Sequence, residues 1–287
     1  LSDQDQLTSI YTRRAVSFIE KNKARPFFLY VPHSMPHTPL GVSDKFAGKS
    51  RQGKYGDVIM ELDASVGKIM ETLKRCGIDN NTLVIFTSDN GPWLNFGKHA
   101  GTAGPLREGK STNWEGGPRV PCIMRWPGRI PAGTVCSKIA ASIDILPTLA
   151  EITSAPLPEK PIDGISILPL MLGDFSSEPR KHYFYYRHNE LHAVRQGRWK
   201  LVFPHSYRSY QKGKAGRNGQ PGPTGTGHTE LALYDLREDI SETKNYVDSH
   251  PQVVDRLKQL GEKARAELGD SLKGIKGSGV RPPGRGK

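Results

Sequence analysis

Two short apolar strings constrain this chain more than anything else in it. Pro26-Phe27-Phe28-Leu29-Tyr30-Val31-Pro32 and Leu83-Val84-Ile85-Phe86-Thr87 are too short for helices and rich in aromatic and β-branched residues, so both read as buried strands. Between them Val58, Ile59, Leu62, Val66, Ile69, Met70 and Leu73 recur at helical spacing, and Gly77 supplies a terminator. Strand, helix and strand in that order predict an α/β unit with a parallel sheet and right-handed crossovers.

The flanking segments extend this pattern. Leu7 to Asn22 reads as a short amphipathic helix, Pro121 to Trp126 as a strand, and Ser142 to Ile152 as a helix interrupted by Pro147. After about residue 180 the runs shorten and alternate: Tyr183–Tyr186, His192–Arg195, Trp199–Phe203 and Ala232–Asp235. They predict a small antiparallel sheet, which a helix over Pro251–Leu268 would cover. From Ser88 to Gly117 no periodicity is sustained, and an aperiodic stretch of that length in a compact domain is usually a functional loop.

A length of 287 residues is ample for a full hydrophobic core, and 31 glycines with 22 prolines mean that loops carry much of the chain. Most of the formal charge of +12 lies in two glycine-rich stretches that contain no acid. One spans 205–228, with Arg208, Lys212, Lys214 and Arg217. The other spans 273–287, with Lys273, Lys276, Arg281, Arg285 and Lys287. Charge placed this way reads as solvated loop and tail and predicts no nucleic-acid partner, whose binders set basic residues on a folded face among aromatics. No apolar run approaches the ~18 residues of a membrane helix, so no membrane span is expected. Cys76, Cys122 and Cys136 make no closed disulfide framework and no C-x-x-C zinc pair.

Several motifs could carry chemistry. Gly104-Pro-Leu-Arg-Glu-Gly109-Lys110-Ser111 fits the phosphate-cradling G-x-x-x-x-G-K-S pattern. That loop needs a strand before it and a helix after it, and here a polar, glycine-rich run precedes while Gly116-Gly117-Pro118 stops any helix. Asp89 and Asn90 follow the second strand, at the edge where open α/β sheets bind ligands, and their oxygens suit a hard divalent cation. A tight Asn-Gly turn is the competing reading. His33 and His37, set among Pro32, Pro36 and Pro39, follow the first strand and would emerge on the same edge. Lys110 lies in the long loop beyond Asp89 and could fold back over that edge. Cation, histidine and lysine together describe a site for an oxyanion carried on an ester. His205, at the end of a predicted strand and among basic neighbours, is placed at the mouth of the site as a substrate-binding residue for a polyanion, with an ordinary basic surface loop as the alternative.

These motifs resemble the formylglycine-dependent sulfatases, the arylsulfatase branch of the alkaline phosphatase superfamily. Arg25 through His37, Met60–Gly67, Val84–Gly91, Gly109–Gly117, Ser142–Thr148, Trp199–Phe203 and Leu233–Leu236 match in order, over almost the whole chain. The resemblance implies an alkaline-phosphatase-like α/β fold, with a central mostly parallel sheet, flanking helices and a small C-terminal antiparallel sheet packed with a helix. It divides the chain into 1–179, part of the catalytic domain; 180–268, the antiparallel subdomain; and 269–287, a basic flexible tail. It makes Asp89 and Asn90 calcium ligands, and His37 and Lys110 catalytic, sulfate-contacting residues. The implied activity is hydrolysis of a sulfate monoester on a small molecule or glycan, in an extracytoplasmic compartment.

One departure matters. The C/S-x-P-x-R motif from which the family makes its formylglycine nucleophile is absent; Ser177-Glu-Pro-Arg-Lys181 comes nearest and ends in lysine. The aspartate pair that completes the calcium site and the lysine and histidine beside the nucleophile have no match either. The expectation is therefore a carboxyl-terminal part of a longer sulfatase, with the nucleophile upstream of Leu1 and no turnover by this chain alone. A phosphoryl- or phosphonyl-transferring relative, a P-loop nucleotide binder and a non-catalytic binding protein are the rival readings.

Overall fold

The computed structural model describes residues 4–217 and 219–282. Helix α1 (Leu7–Asn22) lies against α2 (Gly53–Arg75), and Thr12 Oγ1 donates to Ser65 Oγ at 2.7 Å across the contact. Along α2 the buried positions Val58, Leu62, Ser65, Thr72 and Leu73 form one face. Gly77, at φ 71°, ends the helix. Its N–H donates to Lys74 O at 3.0 Å and the N–H of Ile78 donates to Leu73 O at 3.1 Å, a Schellman closure that a side chain would strain. Two buried acids near the start of α2 hold the preceding loop. Asp57 accepts from the N–H groups of Gly48 and Ser50 at 2.9 and 2.6 Å, and Glu61 from Ser43 at 3.0 Å.

Strand β1 (Val84–Thr87) pairs antiparallel with β2 (Cys122–Arg125), from Val84↔Arg125 to Thr87↔Cys122. A 3-10 turn at Ser142–Asp144 leads into α3 (Ile145–Thr153), and α4 (Leu168–Met171) follows. Pro147 falls in the first turn of α3, where a missing N–H removes no helical bond, so it does not interrupt the helix. Ile167, Leu170 and Met171 pack with Leu83, Met124 and Ile152 beneath this unit.

The carboxyl-terminal third contains β3 (His182–Arg187), β4 (Glu190–Gln196), β5 (Trp199–Val202), β6 (His205–Ser209), β7 (Gly225–Thr229), β8 (Ala232–Asp235) and α5 (Pro251–Leu268). Strands β3-β4-β5-β8 form an antiparallel sheet, and β6 and β7 a separate hairpin. The sheet is buried on both faces. Leu191, Val194, Leu201 and Leu233 meet Val254, Leu257 and Ala264 of α5. On the other face Ala193, Val202, Ala232 and Tyr234 meet Trp114, which comes from the long loop after β1. The period-two alternation thus fastens that loop to the sheet.

Three expectations change. Phe27–Val31 runs extended but pairs with no strand among the described residues, and Phe28 and Tyr30 are 72% and 75% exposed. A strand exists only through lateral hydrogen bonds, so the parallel pairing expected with β1 is not seen, and every pairing among the described strands is antiparallel. The basic stretch 205–228 is not a free loop, since it includes the β6–β7 hairpin. The buried Asn95 holds its connection: its main-chain carbonyl accepts from Gly216 N and Gly222 N at 2.9 and 2.8 Å, and its side-chain amide nitrogen donates to Gly222 O. The described part of the tail, 269–282, folds back on α5: Ser278 N donates to Ala266 O at 2.9 Å and Gly279 N to Glu267 O at 2.8 Å. Arg281 reaches Asp163. Residues 283–287 lie outside the described residues.

Candidate active site

An open cleft of about 2640 Å³ runs beside β1, lined by apolar residues of α1, α2, α3 and Phe27–Val31. It is several times larger than a small-molecule pocket of ~300–1,000 Å³. His37, Asp89, Asn90 and Lys110 all line it, so the structure brings four of the five sequence-derived site residues to one cavity.

Close backbone packing sets their places. Gly91 N donates to Gly117 O at 2.7 Å, and Lys110 N donates to Pro92 O at 2.9 Å, which ties the turn after β1 to the loop bearing Lys110. A Cβ on Gly91 would lie 1.8 Å from Gly116 O, and one on Gly116 would lie 2.2 Å from Glu108 O, so only glycine admits this approach. Glu108, at φ 56° and 3% exposed, accepts from Ser209 Oγ and Tyr210 N at 2.7 Å each and pins the loop to β6. Turns and bends, with no helix, follow Gly109, so the phosphate-loop pattern lacks the helix it requires.

Lys110 is half-buried, its Nζ 5.5 Å from the centroid of the Trp93 ring. His37 is exposed, and its Nδ1 lies 2.7 Å from Thr38 O. A carbonyl only accepts, so Nδ1 carries the proton and Nε2 donates only from the imidazolium form. Neither Lys110 nor His37 has a carboxylate partner among the described residues.

His33 lines the same cleft as His37 but is held against α1 and α2. Its Nε2 lies 3.3 Å from Ser65 Oγ, its ring is 5.8 Å from that of Tyr11, and burial against α2 pushes its pKa below the ordinary value, with Glu61 opposing. Asp89 is exposed and Asn90 half-buried, and neither side chain is engaged in a hydrogen bond among the described residues. One carboxylate and one amide oxygen have the chemistry a hard cation prefers but only two of the ~6–8 oxygens Ca²⁺ takes. No group of three or more potential metal ligands occurs among the described residues.

His205 is the correction. It is 6% exposed and does not line the cleft. In β6 the residues His205, Tyr207 and Ser209 face inward, so period two turns Ser206 and Arg208 outward instead. His205 stacks on His192, centroids 3.7 Å apart, and its Nδ1 donates to Phe203 O at 2.7 Å. Burial drives the His205 imidazole down to about 4, partly offset by the Phe203 carbonyl, and burial also lowers His192 against the pull of Glu190. The folded pair therefore binds fewer protons than the unfolded chain between pH 6.5 and about 4. Its contribution to stability is full above that window and is lost as pH falls through it. Urea midpoints should drop across the window, and His205→Gln should flatten the drop. An unchanged slope in that variant would show that other groups cause it.

Sequence reasoning missed Trp93, Glu115 and Lys200. Glu115 and Lys200 form a buried ion pair at 3.0 Å that holds the Lys110 loop on the sheet. A lysine in a strand reads as solvated, and nothing local to Trp199-Lys200-Leu201 shows its partner 85 residues away.

The family model described as "Sulfatase" matches residues 2–155, and "C-terminal region of aryl-sulfatase" matches 178–276. Arylsulfatase A of Homo sapiens is 38% identical over 244 residues, covering 82% of this chain and 48% of its own length. N-acetylgalactosamine-6-sulfatase of Canis lupus familiaris is 40% identical over 239 residues, covering 79% and 45%. The solved PsFucS1 sulfatase from Pseudoalteromonas sp. superposes with a TM-score of 0.81 at 26% identity, covering 91% of this chain and 53% of that one. A Bacteroides thetaiotaomicron protein solved in work on the metabolism of multiple glycosaminoglycans gives 0.75 at 33% identity, covering 91% and 55%. The chain spans about half the length of the curated relatives it matches. With its cleft-lining motifs in order and more than half its length matched by one family model, this chain belongs to the sulfatase family.

Proposed function

We propose that this chain supplies the sulfate-contacting side of a sulfuric ester hydrolase acting on a sulfated carbohydrate outside the cytoplasm. The observation that carries the reading is the convergence of His37, Asp89, Asn90 and Lys110 on one cleft, with both basic groups lacking a carboxylate partner among the described residues. A lysine ammonium and a histidine ring that face a cavity without carboxylate partners suit an anionic substrate. The carbohydrate is inferred from relatives that include an N-acetylgalactosamine-6-sulfatase.

In hydrolysis of a sulfate monoester the S–O bond to the alcohol breaks, negative charge builds on the leaving oxygen and the sulfuryl oxygens, and the alcohol takes up a proton. Lys110 offsets charge on the sulfuryl oxygens. Its ammonium is held near the Trp93 ring by the Pro92 and Tyr210 contacts to its backbone, so little is spent on orienting it. His37, as imidazolium, directs Nε2 at the sulfate or at the leaving oxygen while Nδ1 stays on Thr38 O. Asp89 and Asn90 would contribute two oxygens to a calcium ion, whose charge would further offset that of the sulfate. Formylglycine would supply the nucleophile. These 287 residues contain no C/S-x-P-x-R motif, so by this reading they bind and polarise the ester and do not attack it.

The test is kinetic, in the sulfatase formed when this chain is joined to a nucleophile-bearing segment. Lys110→Ala and His37→Ala should each lower kcat by ~10²-fold or more, the usual cost of removing one charge-stabilising donor. Near-normal turnover in both would sink the assignment.

A further inference from the structure

Arg208, on the outward face of β6, is not itself among the residues lining the cleft, but it approaches Trp93, which is. Its guanidinium carbon lies 5.5 Å from the centroid of the Trp93 ring, the same ring that Lys110 Nζ approaches at 5.5 Å. Twice that distance bounds their separation, so the two charges are at most about 11 Å apart. Trp93 is fixed edge-on against Phe96 and Tyr210, at 5.5 and 6.5 Å, and the Tyr210 hydroxyl donates to Lys110 O at 2.8 Å. Arg208, like Lys110, has no carboxylate within ion-pair distance among the described residues, although elsewhere Arg107, Arg180, Arg198 and Arg265 are each bonded to an acid or a carbonyl. Two half-buried cations on one indole repel each other, and the ring's attraction for each is only ~0.5–2 kcal/mol. An anion between or beside them removes that repulsion.

We propose that Arg208, backed by Trp93 and Tyr210, forms a second anion subsite next to Lys110, which takes a second sulfate group on the same sugar. The inference rests on the reading of Lys110 as a sulfate contact. The planar guanidinium offers paired N–H donors that match sulfate oxygens, which an ammonium in its place would not reproduce. The enzyme would then prefer disulfated over monosulfated sugars, with Arg208 as the residue that sets the preference.

Calorimetric titration of the 287-residue chain with N-acetylgalactosamine 6-sulfate and with N-acetylgalactosamine 4,6-disulfate, at one fixed low ionic strength, tests this. The disulfate should bind ~10-fold more tightly, the scale of one charge-assisted bidentate contact. Arg208→Gln should bring the ratio close to one, and Arg208→Lys should leave it in between. Lys110→Ala should weaken both ligands. An unchanged ratio in Arg208→Gln, or no binding of either sugar by the parent chain, would overturn the subsite. So would an equal loss from Lys212→Gln, because Lys212 is an exposed base of the same segment and its effect would show a diffuse field. Failure of the underlying sulfatase reading looks different: Lys110→Ala would then leave both affinities untouched while Arg208→Gln still changed the ratio.

Discussion

Lys200→Met should destabilise the fold by about 3–5 kcal/mol, the cost of leaving buried charge without its partner. The Lys200 side chain is fully buried, and its Nζ lies 3.0 Å from Glu115 Oε1, 2.7 Å from Glu242 Oε1 and 2.7 Å from the Asn113 carbonyl to which it donates. Tyr185 donates its hydroxyl to Glu115 Oε1 at 2.8 Å, and Glu115 N donates to Glu242 Oε2 at 2.7 Å, so one ammonium separates two carboxylates linked through the backbone. Burial pushes both carboxyls up. At Glu115 burial is opposed by the charges of Lys200 and Arg195 and by the hydrogen bonds from Lys200 and Tyr185, which together make the net shift downward, whereas Glu242, facing Glu115 as well, stays raised. With methionine in place the two carboxylates repel directly, and the penalty should shrink in acid as one of them takes a proton. Urea denaturation of Lys200→Met and of Lys200→Met with Glu242→Gln is the measurement. The second substitution should recover part of the loss, and a single-variant loss under ~1 kcal/mol would show that the triad contributes nothing net.

Asp144→Ala should cost a comparable ~3–5 kcal/mol. Asp144 is wholly buried at the start of α3, within the Ser142–Thr148 motif. Its Oδ2 accepts from Ala141 N at 2.9 Å and from Arg180 Nε at 2.8 Å. Its Oδ1 accepts from Ile165 N at 2.9 Å and from the second guanidinium nitrogen of Arg180. One carboxylate therefore caps a helix, holds a chain segment 21 residues away and neutralises an arginine 36 residues away. Alanine leaves two backbone N–H groups without acceptors, and it leaves the guanidinium, whose side chain is 11% exposed, with the Asp163 carbonyl but no countercharge at hydrogen-bond distance. Asparagine keeps the shape but loses the charge and one acceptor, so Asp144→Asn should fall between wild type and alanine. Thermal and urea midpoints that move by less than ~1 kcal/mol in the alanine variant would remove Asp144 as a structural hub.

Helices α1 and α5 and strands β3, β4, β5 and β8 were legible because each buries a stripe or a face, and burial writes a period of 3.6 or 2 into the residues themselves. The family motifs placed His37, Asp89, Asn90 and Lys110 on one edge for the same reason: each follows an apolar string or lies in the aperiodic loop beside it, and all four line one cleft. Phe27–Val31 shows the limit of that logic. An apolar string specifies a segment that can pair, but a strand forms only where a neighbour offers its N–H and C=O groups.

His205 and Arg208 show the same division at the site. The alternation of β6 determined that they lie on opposite faces, yet which face met the interior depended on the stacking with His192 and on Glu108 gripping Ser209 and Tyr210. Lys200 is the clearest case. Its sequence neighbours give a half-buried strand, and by sequence alone a lysine there belongs in water, because an isolated buried ammonium is costly. Glu115 and Glu242 come to it from 85 residues before and 42 residues after along the numbering, and they join it only once the Trp114 loop has packed on the sheet. Periodicity and motif order are local and survive in the sequence. Charge compensation and the pairing of strand edges involve residues distant in the chain, so only the tertiary structure decides them.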